Sequence, residues 1–230
     1  MNAIRNNIPN AITCLNLLAG VLAIVVSFTP GTICGLESYQ AAAALIGLAA
    51  LFDFCDGFAA RLLHAVSAIG KELDSLADLI SFGLAPAMML LNAIPAEDPL
   101  RWAALLIPVA GAIRLARFNL DDNQSVTFTG LPIPANAIFW IGFVAWMHSF
   151  VMLPGAVVAP IVVLLSYLMI SPIRMFSLKF KNLSFADNVL RYAIILGAIL
   201  FVAFGGLSGL MWTIVFYVAM SVLSRSTRNS

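Results

Sequence analysis

Long apolar runs separated by short polar clusters are the dominant pattern along this chain. Each run is far longer than a β-strand and close to the roughly 20 residues that an α-helix needs to cross a bilayer. Helices are also required in lipid, because backbone groups there must pair within their own segment. The pattern predicts eight transmembrane helices, near residues 8–28, 39–63, 73–91, 102–118, 135–153, 155–170, 189–204 and 207–223.

The composition excludes a water-soluble domain and a disordered chain. Hydrophobic residues make up 62% of the 230 residues and charged residues 10%, whereas soluble proteins average roughly 45–50% and 25%. So few charges also leave no room for the broad basic face of a nucleic-acid-binding protein. The expected fold class is therefore all-α: a polytopic integral membrane helical bundle that forms a single domain over residues 1–230.

Basic residues fall almost entirely on one side of this eight-helix topology. That side carries the N-terminus, the loops after helices two, four and six, and the C-terminus. It holds 11 of the 12 Lys and Arg residues, namely Arg5, Arg61, Lys71, Arg114, Arg117, Arg174, Lys179, Lys181, Arg191, Arg225 and Arg228. The remaining one, Arg101, lies on the other side. Because Lys and Arg in short loops stay in the cytoplasm, we expect both termini on the cytoplasmic face of the inner membrane.

Four aspartates interrupt the apolar pattern of the second and third predicted helices. Asp53 and Asp56 are three residues apart and Asp74 and Asp78 are four apart, so each pair shares one helix face. Acidic residues inside membrane helices cost several kcal/mol and tend to line functional cavities. Antiparallel neighbours joined by the short segment 57–71 would place the pairs opposite each other. We therefore expect four carboxylates to converge in one pocket at the cytoplasmic end.

Four converging carboxylates repel one another unless a cation compensates their charge. All-oxygen ligation suits Mg²⁺ or Mn²⁺, and four carboxylates match two such ions whose coordination is completed by substrate phosphates. Two other interpretations stay open. Helix capping and surface charge at the membrane boundary would explain Asp74 but not two spaced pairs, and a cation channel or transporter would use intramembrane acids without needing a nucleotide.

The segment 53–78 resembles the signature of the CDP-alcohol phosphatidyltransferase family. Written out, it is Asp53-x2-Asp56-Gly57-x2-Ala60-Arg61-x8-Gly70-x3-Asp74-x3-Asp78. The resemblance implies transfer of the phosphatidyl group of CDP-diacylglycerol to an alcohol, with release of CMP. It also implies that the four aspartates hold the metal ions and that Asp78 is the general base. Members of the family are commonly homodimers, which is the state expected here.

The other signature residues are expected to contact CDP-diacylglycerol. Gly57 and Ala60 would let the nucleotide approach the helix backbone, and Arg61 would clamp the diphosphate with its planar guanidinium group. Gly70 would relieve the turn into the third helix. Lys71 would contact phosphate, although a lysine at the membrane edge explains this position about as well.

Three further strings, residues 8–16, 114–119 and 130–134, are similar to the branch of the family that uses L-serine as acceptor. Thr13 and Asn16 share one helix face and would meet the cytidine or its phosphates, or else hydrogen-bond a neighbouring helix. Arg114 and Arg117, together with Asn119, would bind the serine carboxylate, although a membrane anchor explains Arg117 as well. Glycerol-3-phosphate and inositol phosphate remain alternative acceptors.

Two further expectations concern the reaction course and the membrane surface. No Ser, Cys or His has a flanking base that would mark a covalent nucleophile, so we expect direct displacement at phosphorus. The basic segment 174–181, with Arg174, Lys179 and Lys181, would attract anionic lipid, although ordinary topology signals would look the same.

Overall fold

A computed structural model describes residues 2–120, 129–173, 175–176 and 184–226 of the chain. The expected all-α membrane bundle is confirmed, because five helical stretches are long and apolar enough to cross a membrane and a shorter apolar helix accompanies them. The five stretches are Asn7–Ser27, Ser38–Leu62, Ala68–Ala93, Pro99–Leu120 and Asn188–Leu223. The number of crossings and the side on which each terminus lies remain predictions.

Helices α1 (Asn2–Ser27) and α2 (Ser38–Leu62) pack along each other over most of their length. A short antiparallel hairpin of β1 (Thr32–Ile33) and β2 (Leu36–Glu37) joins them. Glu37 and Gln40 then form a capping box that satisfies backbone N–H groups at the start of α2. The two helices therefore form a hairpin whose closed end lies far from the aspartates of α2.

The third helical stretch has three parts and lies at the centre of the bundle. Helix α3 (Ala68–Asp78) is followed without a break by a π-helix (Leu79–Leu84) and by α4 (Ala85–Ala93). This stretch packs against α1 and against the later helices α5 and α6, and it is the most buried of the five. A central position explains why most residues of α4 are buried, whereas α3 has one polar face.

Helices α5 (Leu106–Leu120), α6 (Ile133–Ser149) and α7 (Gly155–Ile170) follow, and a 3₁₀-helix precedes α5. The Asp98 carboxylate accepts hydrogen bonds from the backbone N–H groups of Leu100 (2.9 Å) and Gly155 (2.6 Å). One side chain thus caps both the 3₁₀-helix and α7. Helix α6 is buried on nearly all sides around Trp140.

The last described stretch is a helical hairpin. Helix α8 (Phe185–Gly205) ends at Gly206, whose φ of +56° reverses the chain, and α9 (Gly209–Ser226) returns along α8. The predicted break at Gly205 and Gly206 is therefore confirmed, as is the break between α6 and α7. Helix α9 also packs on α6, where the backbone of Met211 closely approaches Gly142.

Candidate active site

The turn between α2 and α3 determines where the two aspartate pairs lie. Helix α2 ends in a Schellman-type turn, in which the N–H of Ala65 donates to the carbonyl of Ala60 and His64 adopts a φ of +50°. Ser67 then caps α3 by accepting a hydrogen bond from the N–H of Gly70 (3.0 Å). This short connection places the last turns of α2 at the same end of the bundle as the whole of α3.

Helices α2 and α3 each pack more closely on α1 than on each other. Both helices therefore lie on the same side of α1, and the aspartates of α2 face those of α3. The sequence pattern predicted direct antiparallel neighbours. The structure instead has the two helices packed side by side on a shared third helix.

Three of the four aspartates come together. One carboxylate oxygen from each of Asp53, Asp56 and Asp74 lies within 4.8 Å of the other two. Asp56 is only 5% exposed, and Oδ1 of Asp74 is shielded from solvent without a hydrogen-bond partner among the described residues. Three carboxylates at this separation repel one another without a cation between them. An all-oxygen donor set with an unpartnered, shielded oxygen fits a hard divalent cation.

The side chain of Thr13 holds one of these carboxylates in place. Its hydroxyl donates to Oδ2 of Asp56 at 2.6 Å, and the residue is 3% exposed. A buried bond of this length to a carboxylate is a strong one. Thr13, which the sequence assigned to the nucleotide or to a neighbouring helix, therefore orients an acidic side chain of the cluster.

Asp78 lies outside this group of three and has its own partner on α1. Nδ2 of Asn16 is 3.5 Å from Oδ1 of Asp78, and Asp78 lies one helical turn beyond Asp74 on α3. Asn16 is fully buried, and its Oδ1 has no partner in the described part of the chain. The carboxylate of Asp78 is thus next to the cluster but held separately by an amide group.

The remaining signature residues fall into two groups by their surroundings. A Cβ atom at Gly57 would meet nothing within 4 Å, so the α2 backbone is open there; Ala60 is half-buried and Arg61 is exposed in the last turn. Gly70 is crowded instead, since a Cβ atom there would lie 2.9 Å from Oδ1 of Asn10. Gly70 thus lets α1 approach the start of α3, and its backbone has no unusual φ to relieve.

Lys71 and Asn119 join α3 to the end of α5. Nζ of Lys71 donates to the carbonyl of Asn119 (3.1 Å), and Nδ2 of Asn119 donates to the hydroxyl of Ser75 (3.0 Å). Lys71 and Ser75 lie one turn apart on α3, on the face that also carries Asp78. These contacts hold the end of α5 against α3.

Arg114 and Arg117 reach the C-terminal end of α7. Nη1 of Arg114 donates to the carbonyls of Thr129 (2.8 Å) and Met169 (3.0 Å), and Nη1 of Arg117 donates to the carbonyl of Ile170 (2.9 Å). The last carbonyls of a helix lack partners within the helix and attract cations. These helix-to-helix bonds were not predicted, because nothing in the local sequence links residue 114 to residue 169. Whether the arginines also bind an acceptor stays a prediction.

The basic segment and one buried serine complete the comparison with the sequence predictions. Arg174, Lys179 and Lys181 of the basic segment fall outside the described residues. Ser81 is fully buried next to α1 and was not predicted as a site residue. Its signal in the sequence was a polar residue inside an apolar run, three positions after Asp78.

Comparisons with known proteins give a consistent result. A family model described as CDP-alcohol phosphatidyltransferase matches residues 6–173. The chain is similar to CDP-diacylglycerol--serine O-phosphatidyltransferase of Mycobacterium leprae, with 40% identity over 151 residues that cover 62% of this chain and 48% of that protein. The enzyme of the same name from Methanocaldococcus jannaschii is 37% identical over 167 residues, 73% of this chain and 72% of that protein.

The chain is also similar to an archaeal protein that carries a different name. Archaetidylserine synthase of Methanothermobacter thermautotrophicus is 39% identical over 137 residues, which are 57% of this chain and 54% of that protein. The chain thus spans about half the length of several of the relatives that it matches.

Proposed function

The chain belongs to the CDP-alcohol phosphatidyltransferase family, and on that premise we propose that it transfers the phosphatidyl group of CDP-diacylglycerol to L-serine. The products are phosphatidylserine and CMP. The observation that carries this proposal is the meeting of Asp53, Asp56 and Asp74, three signature residues from two helices, within 4.8 Å. Serine as the acceptor is supported by the names of the relatives from M. leprae and M. jannaschii.

The carboxylates of Asp53, Asp56 and Asp74 are the proposed ligands of Mg²⁺ or Mn²⁺, and Asp78 completes a site for two ions. When bound, such ions neutralise the diphosphate and the charge that develops on departing CMP. Thr13 orients Asp56 through its 2.6 Å hydrogen bond. A hydrogen bond to a metal ligand from a residue that does not itself bind the ion fixes the orientation of that ligand before the ion binds. Such bonds therefore strengthen ion binding.

The nucleotide is proposed to lie along the open backbone of α2. Gly57 leaves that surface free of side-chain atoms, and Ala60 keeps the next turn small. Arg61, exposed at the end of the same helix, is placed to clamp the diphosphate with two parallel N–H groups. Gly70 and Lys71 at the start of α3, and Asn16 on α1, are also proposed to contact CDP-diacylglycerol.

Asp78 is the proposed general base. It takes the proton of the serine hydroxyl while the serine oxygen forms a bond to the lipid phosphorus. The bond from that phosphorus to the CMP oxygen breaks in the same displacement, so no covalent enzyme intermediate is formed. Asp78 suits this role because it lies next to the cluster yet outside its group of three, with Asn16 holding one of its oxygens.

The serine carboxylate is assigned to Arg114, Arg117 and Asn119. Within the described part of the chain, both arginines donate hydrogen bonds through Nη1, and the other guanidinium nitrogens are proposed to bind the anion. The same arginines hold the end of α7, so acceptor binding and helix packing are coupled at this site.

The topology, domain and assembly are part of the proposal. The bias of basic residues supports an integral inner-membrane protein with both termini and the active site on the cytoplasmic side. We propose that residues 1–230 form one domain and that the protein is a homodimer, as the resemblance to the family implies. Cross-linking in native membranes tests the dimer: a band at twice the monomer mass supports it, and a monomer band alone contradicts it.

A headgroup assay tests the proposed function. Purified protein receives labelled CDP-diacylglycerol and Mg²⁺ or Mn²⁺ with serine, glycerol-3-phosphate or inositol phosphate in turn, and lipid and CMP are quantified. We expect phosphatidylserine and CMP in equal amounts with serine alone. Another product lipid would reassign the acceptor, and absence of CMP with every alcohol would refute phosphatidyl transfer. Asp53→Asn is the inactive variant, and Glu72→Gln, an exposed acid on α3, is the matched control.

A further inference from the structure

A π-helix begins immediately after Asp78 and runs from Leu79 to Leu84. A π-turn holds one extra residue compared with an α-turn, so everything beyond it is rotated by roughly 100° about the helix axis. Such turns are rare and occur frequently at functional sites. Here the turn lets α3 present Asp74 and Asp78 to the space above α1 while α4 presents a different face to the bundle core.

Ser81 anchors this π-helix to α1. It is fully buried, and its hydroxyl donates to the backbone carbonyl of Asn16 at 3.0 Å. The same carbonyl accepts the N–H of Gly20 in the regular ladder of α1. Gly20 makes the contact possible, because a Cβ atom there would lie 2.8 Å from Cα of Ser81. The two helix backbones therefore approach each other closely at Gly20 and Ser81.

Asn16 connects this anchor to the proposed chemistry. Its backbone carbonyl binds Ser81, and its side-chain amide reaches Asp78 at 3.5 Å. Asp78 and Ser81 are three residues apart, so both face α1. A shift of Ser81 away from α1 would rotate the end of α3 and carry the Asp78 carboxylate away from the amide of Asn16. Asp56, which lies on α2, would keep its own contact with Thr13 on α1.

We infer that Ser81 is a positioning residue for the proposed reaction: its hydrogen bond to Asn16 across Gly20 fixes the direction of the Asp78 carboxylate. This inference rests on the proposed function and deepens it. It predicts that Ser81 affects the chemical step more than ion binding, since Asp53 and Asp56 lie on α2 and Asp56 reaches α1 through its own contact with Thr13.

The test is Ser81→Ala, which removes the hydroxyl and leaves the Asn16 carbonyl its helical partner. We expect kcat for CMP release to fall about 10- to 100-fold, as for other residues that orient a catalytic group. The KM values for both substrates should stay within about twofold of wild type, and the Mn²⁺ Kd should rise by a smaller factor than kcat falls. Ser27→Ala is the matched control, because Ser27 is a buried serine of α1 whose hydroxyl donates within its own helix.

A double-mutant cycle separates positioning from simple packing. Asn16→Ala keeps the backbone carbonyl that Ser81 binds but removes the amide that meets Asp78. If Ser81 acts through that amide, Ser81→Ala should cost little further kcat in the Asn16→Ala background. Fully additive losses would overturn the inference.

The remaining outcomes are also decisive. An unchanged kcat in Ser81→Ala, or an Mn²⁺ Kd that rises by as large a factor as kcat falls, overturns the positioning role while the proposed function stands. If wild-type protein releases no CMP from CDP-diacylglycerol, the proposed function fails and this inference falls with it.

Discussion

The hydrogen bond between Thr13 and Asp56 gives the most specific prediction about ion binding. Thr13→Val keeps the shape of the side chain and removes its hydroxyl. Asp56 then loses a donor 2.6 Å from its Oδ2 in surroundings where both residues are at least 95% buried. The carboxylate is no longer held in one orientation, so it must be ordered when the ion binds.

The size of the effect follows from the type of bond. Hydrogen bonds to charged groups contribute about 1.5–3 kcal/mol, and about 1.4 kcal/mol corresponds to a tenfold change in a dissociation constant. The Mn²⁺ Kd should therefore rise by about 10- to 100-fold, which is the range typical for loss of an outer contact to a metal ligand.

Titration of the purified variant with Mn²⁺, followed by electron paramagnetic resonance, measures this change. Thr213→Val is the control, because Thr213 on α9 makes a 3.0 Å bond within its own helix, to the carbonyl of Gly209. A Thr13→Val protein that stays folded and binds Mn²⁺ within about twofold of wild type would refute the claim that Thr13 orients a metal ligand.

Three further predictions concern the reaction and the arginines. Asp78→Asn should lower CMP release at least about 100-fold without changing the circular dichroism spectrum; Glu72→Gln is the control, and near-normal turnover would exclude Asp78 as the base. EDTA should stop CMP release and added Mg²⁺ or Mn²⁺ should restore it, whereas turnover that persists in chelator would contradict a metal-dependent reaction. Arg114→Ala removes the side chain that donates to the carbonyls of Thr129 and Met169. The free energy of unfolding should therefore fall by about 1–3 kcal/mol, which should lower Tm by several degrees. The serine KM should rise more than the CDP-diacylglycerol KM, and a lower Tm with an unchanged serine KM would limit Arg114 to holding α7.

The helical architecture could be predicted from sequence because lipid leaves the backbone few choices. Apolar runs of sufficient length must be helical, and Gly205, Gly206, Pro154 and Gly155 divided the later runs where the structure also divides them. The count of eight crossings remains a prediction, since length and hydropathy alone do not show that each helix spans the bilayer.

The acidic site was partly predictable for the same reason. Spacing by three and four residues placed each aspartate pair on one helix face, and Asp53, Asp56 and Asp74 do meet. The packing of both α2 and α3 on α1 was not predictable, because contacts such as Thr13 with Asp56 join residues that are 43 positions apart. The π-helix after Asp78 was missed too, since an apolar run that is buried on every face carries no periodic signal for an inserted residue.

An anomalous difference map from crystals soaked in Mn²⁺ tests the central claim most directly. The account predicts a peak bounded by the carboxylates of Asp53, Asp56 and Asp74, and its loss in crystals of Asp74→Asn. A map with no peak between these three side chains, or with manganese bound elsewhere in the bundle, would contradict it.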